Sequence, residues 1–144
     1  MEVADGIHRF GTHMVNWYLI ERGGRLTLVD AGMRRFPPFR LYLRPTAWPL
    51  LAHGLRNGLL ATPDAAEVRT FGDGDALEVP GRPRVRHLPG HTRGNRALHL
   101  PDASVVFSGL ALVTFHPYRR RRGPRLLIKG VNEDNDQARG HGYW

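Results

Sequence analysis

The chain has 144 residues, of which 41% are hydrophobic and 24% charged, and these values suit one globular domain rather than a disordered or fibrous protein. It contains no cysteine, which excludes disulfides, thiolate nucleophiles and cysteine-ligated zinc. Its formal charge of +8 and isoelectric point near 11.1 would suit an acidic partner.

No segment of the sequence has the properties of a membrane anchor. The most apolar stretches, RLTLVDAGM and SVVFSGLALVTF, fall short of the about 18 uninterrupted apolar residues that a membrane-spanning helix needs. The N-terminal MEVADGIHRF lacks the basic, apolar and small-residue order of a secretory signal. We therefore expect a cytoplasmic protein without a membrane partner.

The N-terminal part of the chain is predicted to form a meander of three strands. Residues 7–10 (IHRF), 15–21 (VNWYLIE) and 25–31 (RLTLVDA) are rich in β-branched and aromatic side chains. Gly11 and the pair Gly23-Gly24 supply the turns between them.

The middle of the chain is predicted to be irregular at first and then helical. Four prolines within residues 33–50 disfavour regular structure there. Over residues 46–57, the apolar side chains Trp48, Leu51 and Leu55 recur at helical spacing. This pattern predicts one amphipathic helix.

The second half is predicted to return to β-structure. The predicted strands are residues 67–71, 76–80, 84–89, 96–101 and 104–109. GDGD at 72–75 and Pro101-Asp102 are typical of turns. In the polar tail, NEDND at 132–136 is interpreted as a solvated cap or turn, and a short helical piece is expected around residues 134–139.

A run of arginines, YRRRRGPR at residues 118–125, concentrates much of the positive charge. We interpret it as a solvated loop, and the alternative is an anion or nucleic-acid contact through Arg119–Arg122. No stacking aromatics and no helix-turn-helix, zinc-finger or RNA-recognition signature accompany the run. Nucleic acid is therefore not the expected partner.

Three stretches together resemble the metallo-β-lactamase superfamily. They are DGIHRFGTHMVNWYLIERGGRLTLVDAGM, EVRTFGDGDALEVPGRPRVRHLPGHTRGNRALHLPD and VVFSGLALVT, which fall within residues 5–33 and 66–128 and keep the family's order. The resemblance implies an αββα sandwich. It also implies hydrolysis of esters, thioesters, lactams or phosphodiesters by one or two zinc or iron ions at the sheet edge.

Part of the family's metal site is missing from this sequence. The resemblance makes His91, in PGHT, a metal ligand and His141, in RGHG, a second one. Leu110, in SGLA, stands where the family has the aspartate that bridges two metals, and an isobutyl group has no lone pair for a cation. Asp30, in VDAG, matches an aspartate that orients the ligands.

The family's main metal-binding motif, T-H-x-H-x-D-H, is absent altogether, since no H-x-H occurs in the chain. The proline-rich segment follows Met33 where the family continues through helices and strands. We therefore expect an α/β (α+β) fold, a strand-rich and abridged αββα sandwich with central strands and helices deleted. We expect residues 1–144 to form a single truncated domain of this kind.

The expected function is that of a former zinc hydrolase that has lost its dinuclear site and needs no cofactor. Such a protein would bind a small molecule, or act as a repurposed metal-independent catalyst with His91 as acid or base and Asp30 orienting it. The pocket would be lined by neighbouring residues of the first strands, namely His13, Asn16, Trp17 and Tyr18.

Two alternatives remain open. One is a residual hydrolase of ester- or lactam-type substrates with a single zinc ion on His91 and His141, for which His13 is a conceivable third ligand. The other is a basic nucleic-acid or anion binder. Whether the protein is an enzyme is left open by the sequence.

The shortened fold also predicts a homodimer. In RLTLVDA, Leu26, Leu28 and Ala31 cannot all share one face, so this strand is expected to be covered on both sides. The deletion would leave its edge unpaired. A strand-swapped dimer, or a cover formed by residues 36–60, would protect it.

Overall fold

The computed structural model describes residues 1–11, 16–30, 48, 52, 55–56, 67–115, 122–127 and 129–140. Within these residues the protein is a small strand-rich α+β fold, in which nine strands form three antiparallel sheets and a short α-helix follows them. By internal contacts the chain divides into two units, one of Met1–Asp30 with Phe71–Trp144 and one of Ala31–Thr70. The nine strands and the helix all belong to the first unit.

The second unit is described at few positions. Trp48, Ala52, Leu55 and Arg56 are all helical, and they lie in the segment for which the sequence predicts a helix. The rest of that predicted helix and nearly all of the proline-rich segment lie outside the described residues, as does the proposed cover apart from these four positions.

The first sheet contains the four N-terminal strands in chain order. They are β1 Glu2–Ala4, β2 Ile7–Gly11, β3 Asn16–Arg22 and β4 Arg25–Val29. The predicted meander is therefore confirmed, with β1 added at its edge. Gly23 and Gly24 have φ angles of 58° and 69°, as a two-residue type I′ hairpin requires, so this pair sets the register of β3 on β4.

The second and third sheets come from the C-terminal half. The second contains β5 Arg84–His87, β6 Arg96–Leu100 and β7 Val105–Phe107, and the third pairs β8 Val113–Phe115 with β9 Arg122–Arg125. A 3-10 helix, Pro101–Ala103, makes the predicted tight connection between β6 and β7. Helix α1, Asn135–Gly140, confirms the helical piece expected in the tail.

The core lies between the first and second sheets. Ile7 and Ile20 of the first sheet and Leu100 and Phe107 of the second form one buried cluster. The Tyr18 ring packs on Phe107 with ring centroids 4.8 Å apart. Burial of each large apolar side chain contributes about 1.5–3 kcal/mol, so the buried cluster and the ring contact hold the two sheets face to face.

The outer face of the first sheet is apolar and exposed. Leu26 and Leu28 are 59% and 52% exposed, and Phe10 stacks on Trp17 with ring centroids 4.3 Å apart. Side chains alternate along a strand, so these leucines point away from the core that Val29 contacts. The expectation that the strand from Arg25 is covered on both faces is therefore wrong for these two leucines.

Three further predictions need correction. Residues 67–71 form no strand, and residues 76–80 contribute only one bridge, between Ala76 and Arg84. Both segments have β-like composition, but residues 67–71 pair with no described strand, and the contact of residues 76–80 with β5 stops at the single bridge. Conversely, Arg122–Arg125, interpreted above as part of a solvated loop, is a strand because β8 pairs with it.

Candidate functional site

The loop that carries His91 connects β5 to β6 and is closed by its own hydrogen bonds. The Leu88 N–H donates to the Asn95 carbonyl at 3.0 Å, and the Asn95 side-chain amide donates back to the Leu88 carbonyl at 2.9 Å. The Asn95 N–H also donates to the Thr92 carbonyl at 3.2 Å. We name residues Leu88–Asn95 the His91 loop.

His87, at the end of β5, supports this loop from below. Its Nε2 lies 2.8 Å from the Arg93 carbonyl oxygen, within the loop. Its backbone N–H donates to Asp73 Oδ1 at 2.7 Å, and Asp73 lies in the GDGD segment, where the predicted turn is confirmed. His87 is therefore a structural residue that joins this turn to the loop.

The C-terminal segment 131–140 docks on the His91 loop. The N–H groups of Glu133 and Asp134 donate to the carbonyls of His91 and Gly90 at 3.1 and 2.9 Å. The Arg93 N–H donates to a Glu133 carboxylate oxygen at 3.0 Å. These three bonds join the segment to the loop.

The start of α1 confirms the interpretation of NEDND as a cap. Asp134 Oδ1 accepts hydrogen bonds from the N–H groups of Asp136 and Gln137, both at 2.9 Å. An aspartate that accepts bonds from the N2 and N3 amides is a typical N-cap. The contacts of Asn132 and Glu133 with the His91 loop were not predicted, because they join residues some 40 positions apart in sequence.

The imidazole of His91 lies in this partly buried environment. Burial lowers its pKa below the ordinary histidine value, while the Asn132 side chain, the Glu133 carboxylate and the Val131 backbone oppose the shift. Within the described residues, His91 Nδ1 and Asn132 Oδ1 are buried and have no partner with hydrogen-bond geometry. Burial therefore favours the neutral form of the ring, which has one nitrogen that can accept a hydrogen bond.

This environment predicts a pH dependence of stability. The free energy of unfolding is expected to fall as the pH drops below about 6.5, because the unfolded chain binds a proton that the buried ring resists. The contribution of the neutral ring is complete above that pH and is lost as the pH falls through the lower pKa of the folded state. Urea unfolding from about pH 8 to pH 5 measures the slope. His91→Gln should make it shallower, and an unchanged slope would contradict the assignment.

The turn that follows β7 lies beside the His91 loop. A Cβ on Gly109 would lie 3.1 Å from both Asn95 Oδ1 and the Arg96 carbonyl oxygen, so this turn closely approaches the end of the loop. Leu110 comes next and is 44% exposed. Its hydrocarbon side chain provides a small apolar surface and no donor for a metal.

Other predicted site residues reach the same edge of the sandwich. Tyr18 pairs with Val29, the last residue of β4, and its ring packs on Phe107, the last residue of β7. Asp30 and the turn after β7 therefore lie at the same edge of the sandwich. Asp30 is exposed and has a φ of 59°. We name the His91 loop, residues 108–111 and Asp30 the site edge.

The predicted pocket residues divide between two faces of the first sheet. Tyr18 faces the core, while Trp17 stacks on Phe10 on the outer face. Asn16 begins β3, and its Oδ1 is buried without a partner among the described residues. His13 and His141 lie outside the described residues. Within the described ranges no three histidine, aspartate or glutamate side chains form a group that could hold a metal ion.

Comparison with known proteins gives no match among protein-family models, curated proteins or solved structures. The family resemblance therefore depends on the sequence motifs quoted above. In the part of the chain that the structure describes, no helix has the length and apolar character needed to cross a membrane.

Proposed function

We propose that this protein is derived from a metallo-β-lactamase-type zinc hydrolase and binds a small molecule at the site edge without catalytic zinc. Its support is the combination of a hydrogen-bonded His91 loop with Leu110 at the position of the family's bridging carboxylate. The sandwich proposed is an abridged form of the family's αββα arrangement. The proposal includes a cytoplasmic location and no nucleic-acid partner.

The unsatisfied polar atoms indicate how a ligand would bind. A buried polar atom without a partner costs about 1–3 kcal/mol, so a ligand that displaces the groups covering His91 Nδ1 and Asn132 Oδ1 and supplies the missing bonds gains affinity. A hydroxyl or amide N–H suits both, since the neutral imidazole nitrogen and the amide oxygen accept hydrogen bonds. Leu110 would contact an apolar part of the same ligand.

The same residues would serve a repurposed catalyst. A neutral imidazole near pH 7 can accept a proton from a bound substrate, and Asp30 would orient the ring or the substrate. Asn16 and Tyr18 are the described pocket candidates at this edge, and His13 completes the proposed set. Replacement of His91 would remove the acid-base group from such a reaction.

The alternative of a one-metal hydrolase is favoured by one observation, the unpartnered Nδ1 of His91. An imidazole nitrogen of this kind could bind zinc if His141 and a third donor such as His13 came within reach. Zinc would then lower the pKa of a bound water and supply the nucleophile. The metal content of the purified protein separates this alternative from the proposal.

The test combines metal analysis with ligand screening. Protein purified without an affinity tag should contain far less than one zinc or iron per chain by mass spectrometry. A library of small esters, lactams and carboxylates should yield compounds that raise the unfolding temperature, with a stabilisation of about 2.7 kcal/mol at 100 times the Kd. His91→Ala should abolish this stabilisation, because the ring contacts the ligand.

His8→Ala provides the matched control, because His8 is a half-buried histidine on β2, with its side chain on the outer face of the first sheet. This variant should retain the ligand-induced stabilisation. A stoichiometric metal ion would establish the alternative instead. Equal responses of the two variants would exclude His91 from the binding site.

We further propose that two copies pair through β4. In the described residues β4 pairs only with β3 and forms an edge of the first sheet. Arg22 and Arg25 form the hydrogen-bonded pair that closes the hairpin. Hydrogen-bonded and non-hydrogen-bonded pairs alternate along the two strands, so the backbone N–H and C=O groups of Leu26 and Leu28 point away from β3. A two-fold axis at Thr27 would place Leu26 opposite Leu28 of the partner subunit and satisfy these groups on both copies.

A further inference from the structure

A concave site lies at the end of the sandwich opposite to the site edge. It is a cleft of about 520 Å³ between the β3–β4 hairpin, residues 78–82 and the 3-10 helix after β6. Leu100, which lines it, ends β6, whereas the His91 loop precedes β6. The cleft is therefore separate from the site edge, on which the proposed function depends.

Close packing and hydrogen bonds hold one wall of the cleft in place. Gly81 has a φ of 87°, and a Cβ there would lie 3.0 Å from Ile20 Cγ2 and 3.2 Å from Leu100 Cδ2. The segment is thus seated directly on the buried core. Thr27 Oγ1 donates to the Pro80 carbonyl at 3.0 Å, and the Arg82 N–H donates to the Val79 carbonyl at 2.8 Å.

Three arginines and two carboxylates line this cleft, namely Arg22, Arg25, Arg82, Glu78 and Asp102. Arg22 is already engaged, because its Nη1 donates to the Glu21 carbonyl at 2.8 Å and lies 3.8 Å from Asp5 Oδ2. In the described structure the guanidinium groups of Arg25 and Arg82 have neither an ion pair nor a hydrogen bond.

The conformation of Arg82 is a further observation. Its φ of 40° lies in the left-handed region, where residues other than glycine are uncommon. Backbone strain of this kind occurs preferentially at ligand sites and tight turns. Here it places an arginine at the rim of a cleft that already contains two other arginines.

We propose that this cleft binds a small amphoteric molecule, with a phosphate or carboxylate group on Arg25 and Arg82 and an ammonium or hydroxyl group towards Glu78 and Asp102. Guanidinium groups form paired, charge-assisted hydrogen bonds with such oxyanions. The two carboxylates disfavour a polyanion such as nucleic acid, which they would repel. The cleft volume falls within the range of about 300–1,000 Å³ that is usual for small-molecule sites.

Calorimetric titration of the full chain at physiological salt tests this proposal, with O-phosphoserine, glutamate and inorganic phosphate as probes. O-phosphoserine or glutamate should bind saturably and more tightly than inorganic phosphate, which lacks the ammonium group. The stronger of the two identifies the preferred oxyanion. Saturable binding of neither amphoteric probe would overturn the proposal, as would tighter binding of inorganic phosphate.

Two double variants separate the cleft from general charge attraction. R25Q/R82Q removes both uncommitted guanidinium groups and should weaken binding at least about tenfold, as expected for lost charge-assisted hydrogen bonds. R84Q/R86Q makes the same charge change at two exposed arginines of β5 and should change the Kd less than about twofold. All four arginines are exposed, and circular dichroism checks that both variants fold. Equal weakening by both variants would also overturn the proposal.

Discussion

Gly90→Ala is expected to separate the segment 131–140 from the His91 loop and to lower the free energy of unfolding by about 2–4 kcal/mol. Gly90 has a φ of 134°, and a Cβ there would lie 2.5 Å from the Ala138 nitrogen and 2.6 Å from its Cα. Backbone atoms of a capped helix cannot move aside as the end of a long side chain can. The helix must therefore shift away, and the hydrogen bonds of Glu133 and Asp134 to the loop would be lost with it.

Urea unfolding of the purified variants measures this effect. Gly94→Ala is the matched control, because Gly94 lies in the same loop with no atom within 4 Å of its Cβ position and no positive φ. It should change stability by less than about 0.5 kcal/mol. In Gly90→Ala, nuclear magnetic resonance titration should also show the His91 pKa rising towards its ordinary value as the ring becomes solvated. Equal stability of the two variants would contradict the docked arrangement.

Leu28→Lys is expected to convert a dimer into a monomer. In the proposed pairing, the introduced ammonium group would face Leu26 of the partner subunit, and the two-fold axis would bring two such groups into the same apolar stripe. Charged side chains on edge strands prevent such pairing, and like charges across an interface cost several kcal/mol. The dimer dissociation constant should therefore rise at least about 100-fold. Leu28 is 52% exposed, so the folded subunit should tolerate lysine.

Sedimentation equilibrium over a range of protein concentrations tests the assembly. Val106→Lys introduces the same charge at a 44% exposed position on β7, in the second sheet, and should leave the dimer intact. A monomeric wild-type protein at high concentration would refute pairing through β4. Loss of the dimer in both variants would show that added charge, rather than the β4 edge, controls assembly.

The predictions that succeeded concern local patterns. Alternating and β-branched residues predicted the strands of the first meander and those beginning near Arg84, Arg96 and Val105. The glycine pair at 23–24 predicted its hairpin, and NEDND at 132–136 predicted a cap or turn, in which Asp134 caps the helix. These features depend on backbone dihedral preferences and on neighbours within a few residues, which the amino-acid order specifies directly.

The predictions that failed concern partners distant in sequence. Residues 67–71 have β-forming side chains but pair with no strand among the described residues, whereas the arginines of β9 form a strand because β8 lies alongside. Both faces of the strand from Arg25 carry apolar side chains in the sequence, yet it is the face with Val29 that packs against the core. β-structure requires hydrogen bonds from a second strand, and composition alone does not determine which segments meet.

The same distinction between local sequence and distant partners applies to the candidate site. The sequence by itself determined which chemical groups the site edge possesses, since His91 and Asp30 are present and Leu110 cannot bind a cation. Only the tertiary structure decided that Asn132 and Glu133 lie beside His91, that burial lowers the pKa of the His91 imidazole, and that a separate arginine-lined cleft exists. The reason is that burial and charge proximity depend on segments brought together by folding, while donor chemistry belongs to each side chain alone.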